Sequence, residues 1–340
     1  VGSLIALLIC WPFAPVPFND DWSYSFMVRE LLRTGHLVYN GWDSAVMLPH
    51  IYWGWAWTCV FGFSFDVLRI STFPLAMGSV ALSYLLARRA GLAKSFSIFA
   101  AMLLGTSPIF MPLAASFMTD VPGVFFFLLS LYALARSENI AWLLIGVFTG
   151  MIGGASRQIV WVVPLVIVPY LIWLRRSDRF FVPIASAAWC TLVAVMLLTM
   201  HWFARQLFVL PEPPMLHDLL HPRHGNADFL ADVLRFVLTV ILIALPACDI
   251  VFTKWFGRRS ILALVLFVGC VVVLRHRPPW AITPWMGNIF NAAGVMGYVE
   301  LGGGIRHKML RDPFRWTLSA GVFAVIAFFI SAAIFSLAAP

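Results

Sequence analysis

Residues 67–87 read VLRISTFPLAMGSVALSYLLA, an apolar run with one charge, Arg69, near its start, and Arg88 and Arg89 follow it directly. About 20 apolar residues in a helix cross the hydrocarbon core of a bilayer. A basic pair closing such a run marks the end that stays on the cytoplasmic side. Similar runs recur along the chain, roughly at 1–18, 96–112, 121–135, 141–155, 159–174, 180–200, 230–252, 261–274 and 316–338. The pattern predicts an all-α polytopic membrane protein with about 10 transmembrane helices, a range of 9–11.

Composition agrees. Of 340 residues, 61% are hydrophobic and 11% charged, and the mean hydropathy is +0.90, whereas a soluble domain carries about 25% charged residues. That excludes an ordinary soluble enzyme. The 15 Trp and 30 Phe suit interfacial belts and lipid-facing surfaces. The five cysteines, Cys10, Cys59, Cys190, Cys248 and Cys270, lie in apolar stretches without metal or disulfide spacing. The formal charge of +8 reads as an orientation signal rather than as a nucleic-acid-binding surface.

Four connections hold the basic surplus: Arg88, Arg89 and Lys94; Arg136; Arg175, Arg176 and Arg179; Lys254, Arg258 and Arg259. Placed inside, they oppose only Glu138 and Asp178. The other face then collects Asp20, Asp21, Glu30, Asp43, Asp66, Asp120, Glu212, Asp218, Asp228 and Asp232. This predicts one membrane-embedded domain over 1–340. Its outer parts are a first external loop at 19–66 with interfacial helices, an external loop at 201–229, and a segment 275–315 that is either an external loop or a weak span. The Trp-rich run 47–63 would break the alternation if it crossed, so it reads as an outer-leaflet helix. The first run has no preceding basic residue and so lacks a signal peptide's charged start; a trimmed N-terminus and a non-Met start both accommodate Val1.

Two groups of acids carry candidate chemistry. Asp20 and Asp21 precede an amphipathic helix that Gly35 stops; they read either as solvated caps or as a site at the membrane surface. Thr119-Asp120-Val121-Pro122 reads as a capped helix start, or, since the charge count puts Asp120 on the same face, as a third member of that site. Three carboxylates there supply oxygen ligands for a divalent cation and leave one as a base. Arg157 and Arg69 read either as phosphate partners or as arginines reaching the interface. His217 and His221 share a helical spacing, but Pro residues around them favour a polar loop. Asp249 reads as the end of an inner-facing segment.

The order Asp20-Asp21 to Gly35, Pro49 to Gly62, Arg69 to Arg88-Arg89, Thr119-Asp120-Val121-Pro122 and Gly153-Gly154-Ala155-Ser156-Arg157 resembles the GT-C membrane glycosyltransferases. Within them it is similar to the branch of protein O-mannosyltransferases and aminoarabinose transferases, over roughly residues 1–210. Asp21 stands where mannosyltransferases usually carry Glu, and His50 where several relatives carry Lys. The resemblance implies transfer of a sugar from a polyprenyl-phosphate donor to a lipid, glycan or protein acceptor, on the external face and with inversion. It implies Asp20 as the catalytic base, Asp21 and Asp120 as acceptor or metal ligands, and Arg157 and Arg69 as donor phosphate partners. Magnesium or manganese is the expected cofactor, with no organic cofactor, and the expected location is a bacterial inner (plasma) membrane. The alternatives are a transporter or flippase of a lipid-linked substrate, or a non-catalytic membrane subunit. A transporter would favour midplane charges and repeated halves, and neither is visible.

Overall fold

The computed structural model describes residues 20–209, apart from 42, 44 and 106–109. The apolar runs at 1–18, 230–252, 261–274 and 316–338, the basic connection at 254–259, the segment 275–315, Asp249 and the His217–His221 pair lie outside the described residues, as does the loop 201–229 from residue 210 onward. The described part is all-helical: α1 Asp21–Thr34, α2 Leu48–Phe61, α3 Phe65–Arg89, α4 Lys94–Gly105, α5 Phe110–Ala114, α6 Asp120–Leu134, α7 Ile140–Ser156, a 3₁₀ turn Gln158–Trp161, α8 Val162–Leu174 and α9 Phe181–Ala204.

Local sequence explains most boundaries. Gly35 takes a left-handed conformation (φ 74°) and its N–H bonds to Leu31 O, closing α1, as expected where a residue with Cβ would be strained. Ser64 accepts from the Val67 N–H to start α3, and Asn139 accepts from the Ala141 N–H to start α7. The expected run 96–112 is divided: α4 ends at Gly105 and a separate short helix begins at Phe110.

Two helices, α3 and α9, are long and apolar enough to cross a membrane; α4, α6, α7 and the stretch Gln158–Leu174 are apolar but shorter. The count of about 10 therefore extends beyond what the described residues establish. Within α3, Thr72 Oγ1 lies 2.7 Å from both Arg69 O and Ala114 O, so its hydroxyl can donate within α3 or across to the end of α5. In an apolar setting such a bond satisfies backbone that water cannot reach.

Among the described residues, the basic connections meet at one end of the bundle. Arg89 pairs with Glu138 and donates to Ala135 O (3.1 Å), and Arg175 donates to Ser137 O (2.8 Å). Both arginines thereby serve the carbonyl end of α6, where cations are favoured by the helix dipole. The opposite ends of α3, α6 and α7 carry Arg69, Asp120 and Arg157. Arg89 and Arg175 thus stand at one end of these helices, and Arg69, Asp120 and Arg157 at the other.

Helices α6 and α7 pack closely through small residues. Ser130 donates to Gly146 O across the contact (2.7 Å), a pattern that brings apolar helices together without bulky side chains. Gly154 is the tightest point: a Cβ there would lie 2.0 Å from Trp161 Cδ1 and 2.1 Å from its Nε1. Trp161 is itself buried, so it has little room to retreat. Gly154→Ala is expected to destabilise the protein by about 1–3 kcal/mol through overpacking, read as a lower midpoint of thermal unfolding in detergent.

Candidate active site

Adjacent carboxylates meet opposite fates at the start of α1. Asp21, in the first turn, points inward and is fully buried. Its Oδ2 accepts from Arg69 Nε (3.0 Å) and Nη2 (2.9 Å), and Arg69 is fully buried as well. Asp66, one turn before Arg69 on α3, stands 3.7 Å from Arg69 Nη1. The phenyl ring of Phe65 lies beneath the guanidinium at 5.6 Å. Arg69 is thus held from several sides, and its fork is occupied by the chain's own carboxylates.

Asp20 sits just before α1 and makes no side-chain cap bond. The capping role open to it in the sequence is not taken. Burial pushes its carboxyl pKa above the ordinary range, and the charge of Asp120 pushes it further the same way. Asp20 and Asp120, a hundred positions apart, therefore sense each other across the site.

Thr119 and Asp120 show a second departure from the capping expectation. Thr119 makes no side-chain cap bond. Its Oγ1 instead accepts from Arg157 Nη1 (2.9 Å), and Asp120 Oδ1 pairs with Arg157 Nη2 (3.0 Å). Arg157 follows α7 in extended conformation, which lets its side chain reach back over the first turn of α6. Gly123 makes that path possible, since a Cβ there would lie 3.1 Å from Arg157 Cδ. The Arg157 side chain remains 42% exposed and that of Asp120 24%, in contrast to the closed Asp21–Arg69 pair.

Further groups join these, and the sequence did not single them out for a role in the chemistry. Tyr24, one helical turn after Asp20, has its phenol pushed up by burial first, then by Asp20, Asp43 and Asp120, with Arg157 acting the other way. Its hydroxyl therefore lies within the field of every open charge in the site. Asp43 is buried and takes part in a cluster with Ser23 and Asn40. The i, i+4 spacing from Asp20 to Tyr24 was a usable signal; Asp43 had none beyond its place among the outer acids. His50, on α2, is buried and stacks on Phe117 at 4.0 Å, with Nε2 3.3 Å from Phe117 O. Burial lowers its pKa to about 4, so it is neutral at physiological pH.

The arrangement offers a carboxylate with a raised pKa, a tyrosine hydroxyl and a half-exposed arginine at one end of a helical bundle. Such a set can take a proton from a hydroxyl and receive an anion. Residues 43–203 match the model of the family described as Dolichyl-phosphate-mannose-protein mannosyltransferase. A GT-C-like mannosyltransferase domain is therefore present over part of the chain. Comparison with curated proteins and with solved structures gives no match.

Removing one member of a buried ion pair strands the other charge, at a cost of about 3–5 kcal/mol. Asp21→Ala and Arg69→Ala are each expected to destabilise the protein by that order, measured by chemical unfolding. The double variant should lose less than the two single losses added together.

Proposed function

We infer that the chain transfers a sugar from a polyprenyl-phosphate donor to an acceptor hydroxyl, with inversion at the anomeric carbon, on the outer face of the membrane. The observation that carries this reading is the meeting of Asp20, Asp120 and Arg157 at the end of the bundle opposite the basic connections. The match to the mannosyltransferase family over residues 43–203 supports it.

In this reaction Asp20 accepts the acceptor's proton as its oxygen attacks the anomeric carbon. The bond from that carbon to the phosphate oxygen breaks on the opposite side, and the lipid phosphate leaves as an anion. Arg157 receives that anion through the guanidinium edges left exposed beside Asp120 and Thr119. Asp120 orients Arg157 and, as a neighbouring negative charge, keeps Asp20 basic enough to hold the proton it has taken. The Asp21–Arg69 pair acts by position: it holds the start of α1 against α3 and so sets where Asp20 stands. The acceptor is a lipid, a glycan or a protein, and the setting a bacterial plasma membrane.

Magnesium or manganese, expected between Asp21 and Asp120, has no step in this scheme. Asp21 is sealed against Arg69 and Asp120 is paired with Arg157, so both expected ligands already face a cation, and as arranged they do not fit a metal ion between them.

Sugar transfer from a radiolabelled polyprenyl-phosphate mannose in membranes tests the reading. Asp20→Asn is expected to lower kcat by ~100- to 10,000-fold, as for loss of a positioned general base. The activity of the native protein should rise with pH as Asp20 ionises, and the midpoint of that rise should sit above the usual carboxylate range. Asp120→Asn removes a negative neighbour and frees Arg157, so it should move the midpoint to lower pH while reducing the maximum rate. Full transfer by folded Asp20→Asn protein would overturn the assignment.

A further inference from the structure

Asp43 takes no step in the proposed transfer, although it is 1% exposed and faces α1 one turn beyond Asp20. Its Oδ1 lies 3.1 Å from Ser23 Oγ, and the same Ser23 oxygen lies 2.9 Å from Asn40 Oδ1. Asn40 closes the cluster. Its Nδ2 donates to Ser23 O at 3.0 Å, and its backbone N–H points at Asp43 Oδ2 at 3.4 Å.

These contacts constrain the protons. A serine hydroxyl has one proton to donate, yet two oxygens stand within reach of it. With Asp43 ionised, that proton serves Asp43 or Asn40, and the other pair of oxygens is left in contact with no hydrogen between them. Turning the Asn40 amide over repairs that pair but sets its oxygen 3.0 Å from the Ser23 carbonyl, which again has no proton to share. A protonated Asp43 removes the conflict. Its O–H donates to Ser23 Oγ, Ser23 donates to Asn40 Oδ1, and both N–H groups of Asn40 keep their acceptors.

We propose that Asp43 is a positioning residue of the transfer site, held as a neutral carboxylic acid that ties the segment 37–47 to α1 next to Asp20. The surroundings agree. Burial raises the carboxyl pKa and the charge of Asp20 raises it further, against the bonds from Asn40 and Ser23. The titratable groups that face it are Asp20 and Tyr24 on α1 and Tyr39 on its own segment. Among the described residues no basic side chain forms an ion pair with it.

The tie reaches across the site. The backbone of Asp43 forms a bridge with Val209, just past the end of α9, and Tyr39 packs edge-on against Phe203 of α9 at 5.3 Å. Tyr39 also donates to Val46 O (2.5 Å), bracing the segment on itself. Asp43 thus joins the helix that carries Asp20 to the end of α9. Being neutral, it adds no third negative charge to meet an incoming phosphate beside Asp20 and Asp120. The positioning role rests on the transferase reading, whereas the neutral carboxyl rests on the contacts among Asp43, Ser23 and Asn40 alone.

Two readouts on the full chain in membranes test it. Infrared difference spectra at neutral pH between native protein and Asp43→Asn should contain the C=O band of a protonated carboxyl, and the band should persist in Asp20→Asn and shift in Ser23→Ala. In the sugar-transfer assay Asp43→Asn, whose amide can donate to Ser23 and accept from Asn40, should stay within about threefold of native kcat with an unchanged pH profile. Asp43→Ala should lose about 10- to 100-fold in kcat, the scale of a misplaced reacting group, with the KM for donor little changed. Absence of the carboxyl band, a shifted pH profile in Asp43→Asn, or native kcat in Asp43→Ala would overturn the proposal. If native protein transfers no sugar, the transferase reading falls, and with it the positioning role; the infrared band then decides the neutral carboxyl alone.

Discussion

The buried pair of Asp21 and Arg69 sets the geometry on which the rest of the site depends. Placing two charges in a dry interior costs several kcal/mol per ion before their attraction is counted. The structure offsets this by aiming two N–H groups of one guanidinium at a single carboxylate oxygen and by keeping Asp66 close to the remaining charge. Such a fork tolerates little rotation of the helix that carries the carboxylate. Since successive helical residues lie about 100° apart, turning Asp21 inward turns Asp20 away from the same contact. The buried pair therefore fixes the direction of its half-buried neighbour, Asp20.

The second pair follows a different rule. Asp120 and Arg157 are partly open to solvent, so neither is fully desolvated and their attraction is weaker. Arg157 gains orientation from Thr119 as well as Asp120 and keeps part of its donor edge outward. One ion pair is closed and supports architecture; the other is open and can exchange part of its bonding with an incoming anion. Their burial separates the two roles, although the sequence presents both as an aspartate and an arginine near the ends of apolar runs.

That contrast explains what could be read beforehand. Helix boundaries depend on neighbours in sequence, so Gly35 is legible as the stop of α1, and the Ser64 and Asn139 caps belong to the same local class although they were not read from the sequence. Asp20, Asp120 and Arg157 were found through face and order, and the structure brings them together. The partners were not legible. Asp21 meets Arg69 across 48 positions and Arg157 meets Thr119 across 38, and no periodicity reports such distances. Thr119 shows the limit well: its local pattern describes a cap, but a distant arginine takes its hydroxyl instead. Asp43 was hidden for the same reason, because its role depends on Ser23 and Asn40 folding around it.

Charge in this site is governed more by burial than by residue type. His50 and Asp43 are both titratable, and the interior makes each of them harder to charge. Arg69 cannot lose its charge, so it is matched by Asp21. Among the described residues that build the site, Arg157 is then the cation with an exposed edge. An incoming anion meets that edge next to two carboxylates, Asp20 and Asp120; burial first, and the charge of Asp120 second, raise the proton affinity of Asp20. When an anion takes up part of Arg157's bonding, the positive charge that screened Asp120 is shared, and the field at Asp20 becomes more negative. Binding an anion should therefore raise the proton affinity of Asp20 further. In the proposed transfer, coupling of this sign would make Asp20 a stronger base when an anionic donor is in place, which is when that reaction requires a proton to leave the acceptor.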